Sequence, residues 1–163
     1  MMDSKICLLA FALILVSIGP VCAQSIASQY VDPHNEARRE VNVPDLQWDD
    51  DLAQFAQDHA NSQANTDDCR LVHSDSGYGE NLYWTSANSS PPSDAVAAWV
   101  DEKNDYSIST NSCNAGKVCG HYTQVVWRST QRVGCASASC PGGGTFVGCN
   151  YDPPGNYVGE RPY

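Results

Sequence analysis

Cys119-Gly120-His121-Tyr122-Thr123-Gln124-Val125-Val126-Trp127-Arg128-Ser129-Thr130, followed by Phe146-Val147-Gly148-Cys149-Asn150-Tyr151-Asp152-Pro153, is the part of the chain on which the fold turns. Each stretch is rich in β-branched and aromatic residues, holds a cysteine that can staple it, and carries polar residues that such a frame would fix rigidly. His121 is the foremost of these. Residues 122–127, 132–138 and 145–151 are predicted as strands. Pro141-Gly142-Gly143-Gly144 forms the turn between the last two, with glycines free to adopt positive φ.

Upstream the pattern is helical. Asp32-Pro33 reads as an N-cap followed by proline at the first helical position, opening a short helix through Asn35, Ala37 and Arg38 that ends before Pro44. The acid cluster Asp49-Asp50-Asp51 suits the N-terminus of a second helix. There Leu52, Phe55, Ala56, His59 and Ala60 recur on one stripe. A third helix is predicted near Ser93-Asp94, after Pro91-Pro92, with Val96, Trp99, Val100 and Lys103 on one side. Helices first and an antiparallel sheet later imply an α+β domain with helices covering the sheet faces.

Met1–Ala23 reads as a signal peptide: Lys5 precedes the uncharged apolar run Ile6–Ile18, Gly19-Pro20 breaks it, and Val21-Cys22-Ala23 offers a cleavage site. As a membrane anchor the run is too short, since a spanning helix needs ~20 apolar residues. Residues 24–163 then form one domain. Of the eight cysteines, Cys7 and Cys22 leave with the signal peptide. Cys69, Cys113, Cys119, Cys135, Cys140 and Cys149 remain, which in an exported chain suggests three disulfides with about fifteen possible pairings. A zinc site is the weaker alternative, because no CxxC pair is present. The net charge of −10 disfavours nucleic-acid backbones and anionic headgroups as partners. A polar loop at residues 86–93 holds the sequon Asn88-Ser89-Ser90, a candidate glycosylation site.

The motifs Gly120-His121-Tyr122-Thr123-Gln124-Val125-Val126-Trp127-Arg128-Ser129-Thr130 and Phe146 to Tyr157 resemble the two long motifs of the class-one plant pathogenesis-related proteins. Those belong to the superfamily of cysteine-rich secretory proteins, antigen 5 and pathogenesis-related proteins. His34-Asn35, Ala37-Arg38, Leu71-Val72-His73-Ser74, Gly79-Glu80-Asn81-Leu82 and Arg161-Pro162-Tyr163 follow in the family's order, so the resemblance covers the whole of residues 24–163. It implies a three-layer α-β-α sandwich around an antiparallel sheet, an extracellular place in the apoplast, and the pairings Cys69 with Cys140, Cys113 with Cys119, and Cys135 with Cys149. It also implies defence against fungi and oomycetes through sterol binding, no required cofactor, no established catalysis, and a monomer.

The same resemblance places His73, Glu80, Glu102 and His121 around one cleft. Two imidazoles and two carboxylates can bind a divalent cation such as zinc, or can hold one another without metal, or can serve acid–base chemistry. A hydrolase would need an activated nucleophile. Ser74 beside His73 is the one tempting serine, yet adjacency in sequence does not place its hydroxyl on an imidazole, and no GxSxG or HExxH motif is present. Glu80 with Glu102 suggests a glycosidase by residue type alone. His34 reads as a buried hydrogen-bonding residue and His59 as a packing residue at the core rim that needs one polar partner. Trp48, Trp84, Trp99 and Trp127 read as core, and an exposed one could meet a sterol ring.

Residues 153–163 resemble a peptide that some relatives release as an immune signal by cleavage at a site corresponding to Asp152-Pro153, and this implies a receptor as partner. Glu160 stands where glutamine is usual. The prolines and glycines of this segment favour an exposed tail, while Tyr157 and Tyr163 could pack it on the domain.

Overall fold

A computed structural model describes residues 25–66 and 68–163. The segment read as a signal peptide lies outside the described residues. In chain order the elements are α1 (Ile26–Glu40), β1 (Gln47–Trp48), α2 (Asp50–Thr66), β2 (Gly79–Thr85) and α3 (Pro92–Asp101). A 3-10 turn (Glu102–Asp105), β3 (Tyr106–Ser107), β4 (Ser112–Cys113), α4 (Gly120–Val125), β5 (Arg132–Ser139) and β6 (Thr145–Asp152) follow.

The main sheet has the order β1-β5-β6-β2. β5 and β6 form the predicted hairpin, with Cys135 opposite Cys149, and β2 pairs antiparallel to β6 from Gly79–Tyr151 to Thr85–Thr145. Among the described residues, only the two-residue β1 runs parallel, beside β5. One face of the sheet packs on α2 through Ala60, Ala64, Leu82 and Phe146. The other buries Val133, Val147, Cys149 and Tyr151 against Tyr30, Val96, Trp99 and Val125 from α1, α3 and α4. Alternation along β6 explains both layers: Phe146 points to α2, while Val147, Cys149 and Tyr151 point away from it. The three disulfides join Cys69–Cys140, Cys113–Cys119 and Cys135–Cys149. This is the α-β-α sandwich that the resemblance implies.

Two local expectations differ from the structure, and one strand is unforeseen. α1 begins a turn and a half before Asp32: the Ser25 hydroxyl accepts from the Ser28 amide at 3.1 Å, and Pro33 sits inside the helix. A proline there removes one backbone hydrogen bond, a cost offset by burial of Tyr30 to 1 % exposure and its stack on Trp48. Residues 120–125, expected to be largely strand, form α4, because Tyr122, Val125 and Val126 meet the core at helical spacing. Its ends are held by tertiary contacts. Glu102 accepts from the His121 and Tyr122 amides, and the buried Arg38 guanidinium donates to the Val125, Trp127 and Thr130 carbonyls. β2, not expected as a strand, is defined by its pairing with β6.

The second helix starts as expected. Asp49 Oδ1 accepts from the Asp51 and Leu52 amides at 3.0 Å each, so it is the capping residue. α2 lies close on the sheet at Gly134, where a Cβ would stand 2.1 Å from the Ala53 amide nitrogen. α3 has proline at its start and buries Ala95, Val96 and Trp99, and the Trp99 indole donates to the Leu82 carbonyl.

Candidate functional site

Each predicted histidine of the cleft is paired with one predicted glutamate. His73, on the loop before β2, places Nδ1 2.8 Å from Glu80 Oε1, and His121, on the first turn of α4, places Nδ1 2.6 Å from Glu102 Oε1. Glu80 is supplied by β2 and Glu102 by the 3-10 turn. His121 is further backed by Trp99, whose ring lies nearly parallel at 6.3 Å. The His121 backbone is held as well, its carbonyl accepting from Asn81 Nδ2 at 3.0 Å.

The carboxylates are heavily engaged. Glu80 accepts from the Ser74 amide at 2.9 Å, from the Ser74 hydroxyl in a short contact, and from Asn150 at 3.3 Å. Burial pushes the Glu80 carboxyl up. The Ser74 hydroxyl and amide and the His73 ring outweigh it, leaving the group below its ordinary value and therefore ionised. Because the Ser74 hydroxyl is spent on Glu80, it is not aimed at His73.

His73, Glu80, Asn81, Val118, Gly120, His121 and Asn156 line one cleft of about 250 Å³. Glu102 stands behind His121 rather than on the wall. Among the described residues no three His, Cys, Asp or Glu side chains are gathered as a metal-holding group. In each imidazole Nδ1 is engaged by a carboxylate, the arrangement found in the outer shell of many metal-bound histidines.

The remaining histidines are structural. His34 is fully buried; its Nδ1 meets the Tyr30 carbonyl and its Nε2 the Tyr151 hydroxyl, each at 2.8 Å. The carbonyl can only accept, so Nδ1 carries the proton and Nε2 accepts from Tyr151. His59 has the one polar partner it needs, the Val72 carbonyl at 2.9 Å, and packs edge-on against Phe146. Trp99 and Trp127 are buried, whereas Trp84 is 44 % exposed. Asn88 is exposed, with its Oδ1 accepting from the Gly144 amide.

The C-terminal segment lies on the domain. The Asp152 carboxylate is paired with Arg132, the Gly155 amide donates to Gln124 Oε1 at 2.9 Å, and Tyr157 packs against Trp127. Further along, the Pro162 carbonyl accepts from the Arg128 amide at 2.8 Å and Tyr163 approaches the Tyr122 hydroxyl. Asn81 and Asn156 on the cleft, and Asn150 behind it on Glu80, are the residues that residue-type reasoning passed over. All three lie within the motifs quoted above, but an amide carries no signature of chemistry until its partners are seen.

Such a sandwich, closed by three disulfides and carrying two histidine–glutamate pairs at one cleft, defines the class of cysteine-rich secretory domains. The chain belongs to the Cysteine-rich secretory protein family, whose description matches residues 31–151. It is 50 % identical to a pathogenesis-related protein of PR-1 type from Sambucus nigra, over 97 % of this chain and 92 % of that one. It is 54 % identical to pathogenesis-related protein PR-1 of Medicago truncatula, over 86 % of this chain and 81 % of that one. The fold resembles the solved venom allergen-like protein 4 of Schistosoma mansoni, with a TM-score of 0.66, 24 % identity and coverage of 86 % and 94 %. It also resembles a structure of NaASP2 with Zn2+, with a TM-score of 0.68, 23 % identity and 86 % of each chain covered.

Proposed function

We propose that the chain is an exported plant defence protein that works by binding, and that the cleft of His73 and His121 takes a divalent cation such as zinc through the two Nε2 atoms. The observation that carries the cation reading is the orientation of both rings: each Nδ1 is committed to a glutamate, so each Nε2 is left for a ligand. Water would complete the coordination. Export is supported by the three disulfides. Defence is supported by the pathogenesis-related relatives.

Calorimetric titration with zinc tests the cleft. Binding by the wild type that disappears in the double variant His73→Ala with His121→Ala is the expected result; unchanged affinity would remove the cleft as the site.

Sterol capture from fungal or oomycete membranes is the second reading, favoured by a mainly apolar groove between α1 and α3. It is lined by Pro33, Glu36, Ala37, Glu40, Ala97 and Val100 and measures about 180 Å³. Typical ligand pockets hold ~300–1,000 Å³, so a sterol would lie partly outside it. Its affinity would come from buried apolar area at ~25 cal/mol per Å², independent of the histidines. Competition with a labelled sterol should therefore show saturable binding in both the wild type and the double-histidine variant. No saturable binding by the wild type would end that reading.

Release of residues 153–163 after Asp152 as a signal is a separate proposal. It requires the contacts to Gln124, Arg128 and Tyr122 to be broken after the chain is cut. Mass spectrometry of the protein recovered from the apoplast would detect the peptide.

A further inference from the structure

α4 has six residues, too few to be stable by hydrogen bonding along its own axis. The position of His121 therefore depends on what grips this helix from outside. Glu102 grips it on one side, through the His121 ring and two amides. On the other side the grip comes from the C-terminal tail.

Asn156 spans the first turn of α4. Its Nδ2 donates to the Gly120 carbonyl at 2.8 Å and its Oδ1 accepts from the Thr123 hydroxyl at 2.7 Å. Its φ of 60° is in the left-handed region, which asparagine tolerates better than most residues. The neighbouring Gly155 donates to Gln124, which is 1 % exposed and itself donates to the Thr130 hydroxyl at 3.2 Å. That hydroxyl in turn donates to the Pro153 carbonyl at 2.9 Å. Gly155 also lies flat on Trp127, where a Cβ would stand 2.5 Å from the ring. Residues 153–156 are thus wired into the interior, and Asn156 lines the histidine cleft together with a second depression of about 290 Å³ beside it.

We propose that the C-terminal segment is a wall of the cleft, with Asn156 as the positioning residue for His121, so that occupancy of the cleft and attachment of the tail are coupled. The coupling to an occupant rests on the cation reading above; the positioning role does not. A cation held between His73 and His121 favours the arrangement of α4 that Asn156 clamps. By reciprocity, loosening the clamp weakens the cation by the same factor as the cation tightens the tail.

Asn156→Gly removes the amide while keeping a residue suited to positive φ, and Val158→Ala, at a fully exposed position, is the control. Without metal, hydrogen exchange at the amides of residues 121–125 should run about tenfold faster in Asn156→Gly, with β5 unchanged and the control like the wild type. Equal exchange in Asn156→Gly and wild type would overturn the positioning role. With zinc alone as the probe, Asn156→Gly should bind about tenfold more weakly, and zinc should slow exchange of the Gly155 amide in the wild type. Equal zinc affinity in the two proteins would overturn the coupling. A wild type that binds no zinc would refute both the cation reading and the coupling, while the exchange result without metal still decides the wall.

Discussion

His34 and His121 belong to one hydrogen-bonded chain, His34 to Tyr151 to Asn81 to the His121 carbonyl, yet they differ in kind because only His34 is sealed from water. Burial pushes the His34 imidazole down from 6.5 to about 4, the Tyr30 carbonyl pulling weakly the other way and nearby Arg38 adding to the depression. The unfolded chain takes up this proton first as pH falls. Stability from a neutral His34 is therefore complete above about pH 6.5 and drains away toward pH 4, a loss of roughly 3 kcal/mol. Urea unfolding at pH 7 and pH 4.5 should show this slope in the wild type, and His34→Gln should flatten it. Equal slopes in the two proteins would count against His34 as the group. At the cleft, Glu102→Gln can keep an oxygen where Oε2 accepts from the His121 and Tyr122 amides, but it puts an amide NH2 against His121 Nδ1 and loses the charge that orients the ring. Zinc affinity should fall about 10- to 100-fold with little change in melting temperature, as measured by calorimetry and circular dichroism.

The elements most readable in the sequence were those whose local pattern and tertiary role agree. α2 carries an apolar stripe and an acidic cap, and the β5–β6 hairpin joins two strand-length stretches through the Pro141-Gly142-Gly143-Gly144 turn. α4 defeats the same reasoning, because Val125, Val126 and Trp127 have the composition of a strand while Glu102, Arg38 and Asn156 impose a helix from distant parts of the chain. β2 was hidden for the complementary reason: Glu80, Asn81 and Tyr83 face partners that only β6 and the cleft reveal. The four histidine and glutamate positions are marked by motif resemblance, whereas their pairing into two couples is visible only in the fold. Gly134 shows how packing writes itself into a single residue. Since its missing Cβ would meet the backbone of α2, which cannot swing aside as a side chain can, Gly134→Ala should destabilise by about 2 kcal/mol or more. Denaturant titration measures this directly, and a loss below ~0.5 kcal/mol would mean that α2 shifts freely on the sheet.

Across the whole molecule the three disulfides divide into one that secures the fold and others that tune it. Cys69–Cys140 closes a separation of 71 residues and ties the loop after α2 to the end of β5, whereas Cys113–Cys119 closes 6 and Cys135–Cys149 closes 14. Loop-closure entropy then assigns about 4, 2 and 3 kcal/mol to the three in that order. The last of these joins residues already opposite each other in the β5–β6 ladder, so part of its constraint duplicates the sheet. Cys113–Cys119 is the weakest staple of the fold but stands two residues before His121, anchoring the start of α4 to β4. Stability and cleft geometry should therefore separate. Replacing Cys69 and Cys140 together by alanine should lower the melting temperature by roughly 10 °C and leave zinc titration of the folded protein near that of the wild type. Replacing Cys113 and Cys119 should cost only about half as many degrees yet weaken zinc severalfold, by freeing the turn that carries His121. Differential scanning calorimetry and zinc titration on the two pairs decide the matter, and a Cys113–Cys119 variant with unchanged zinc affinity would show that Glu102 and Asn156 hold α4 without help from the disulfide.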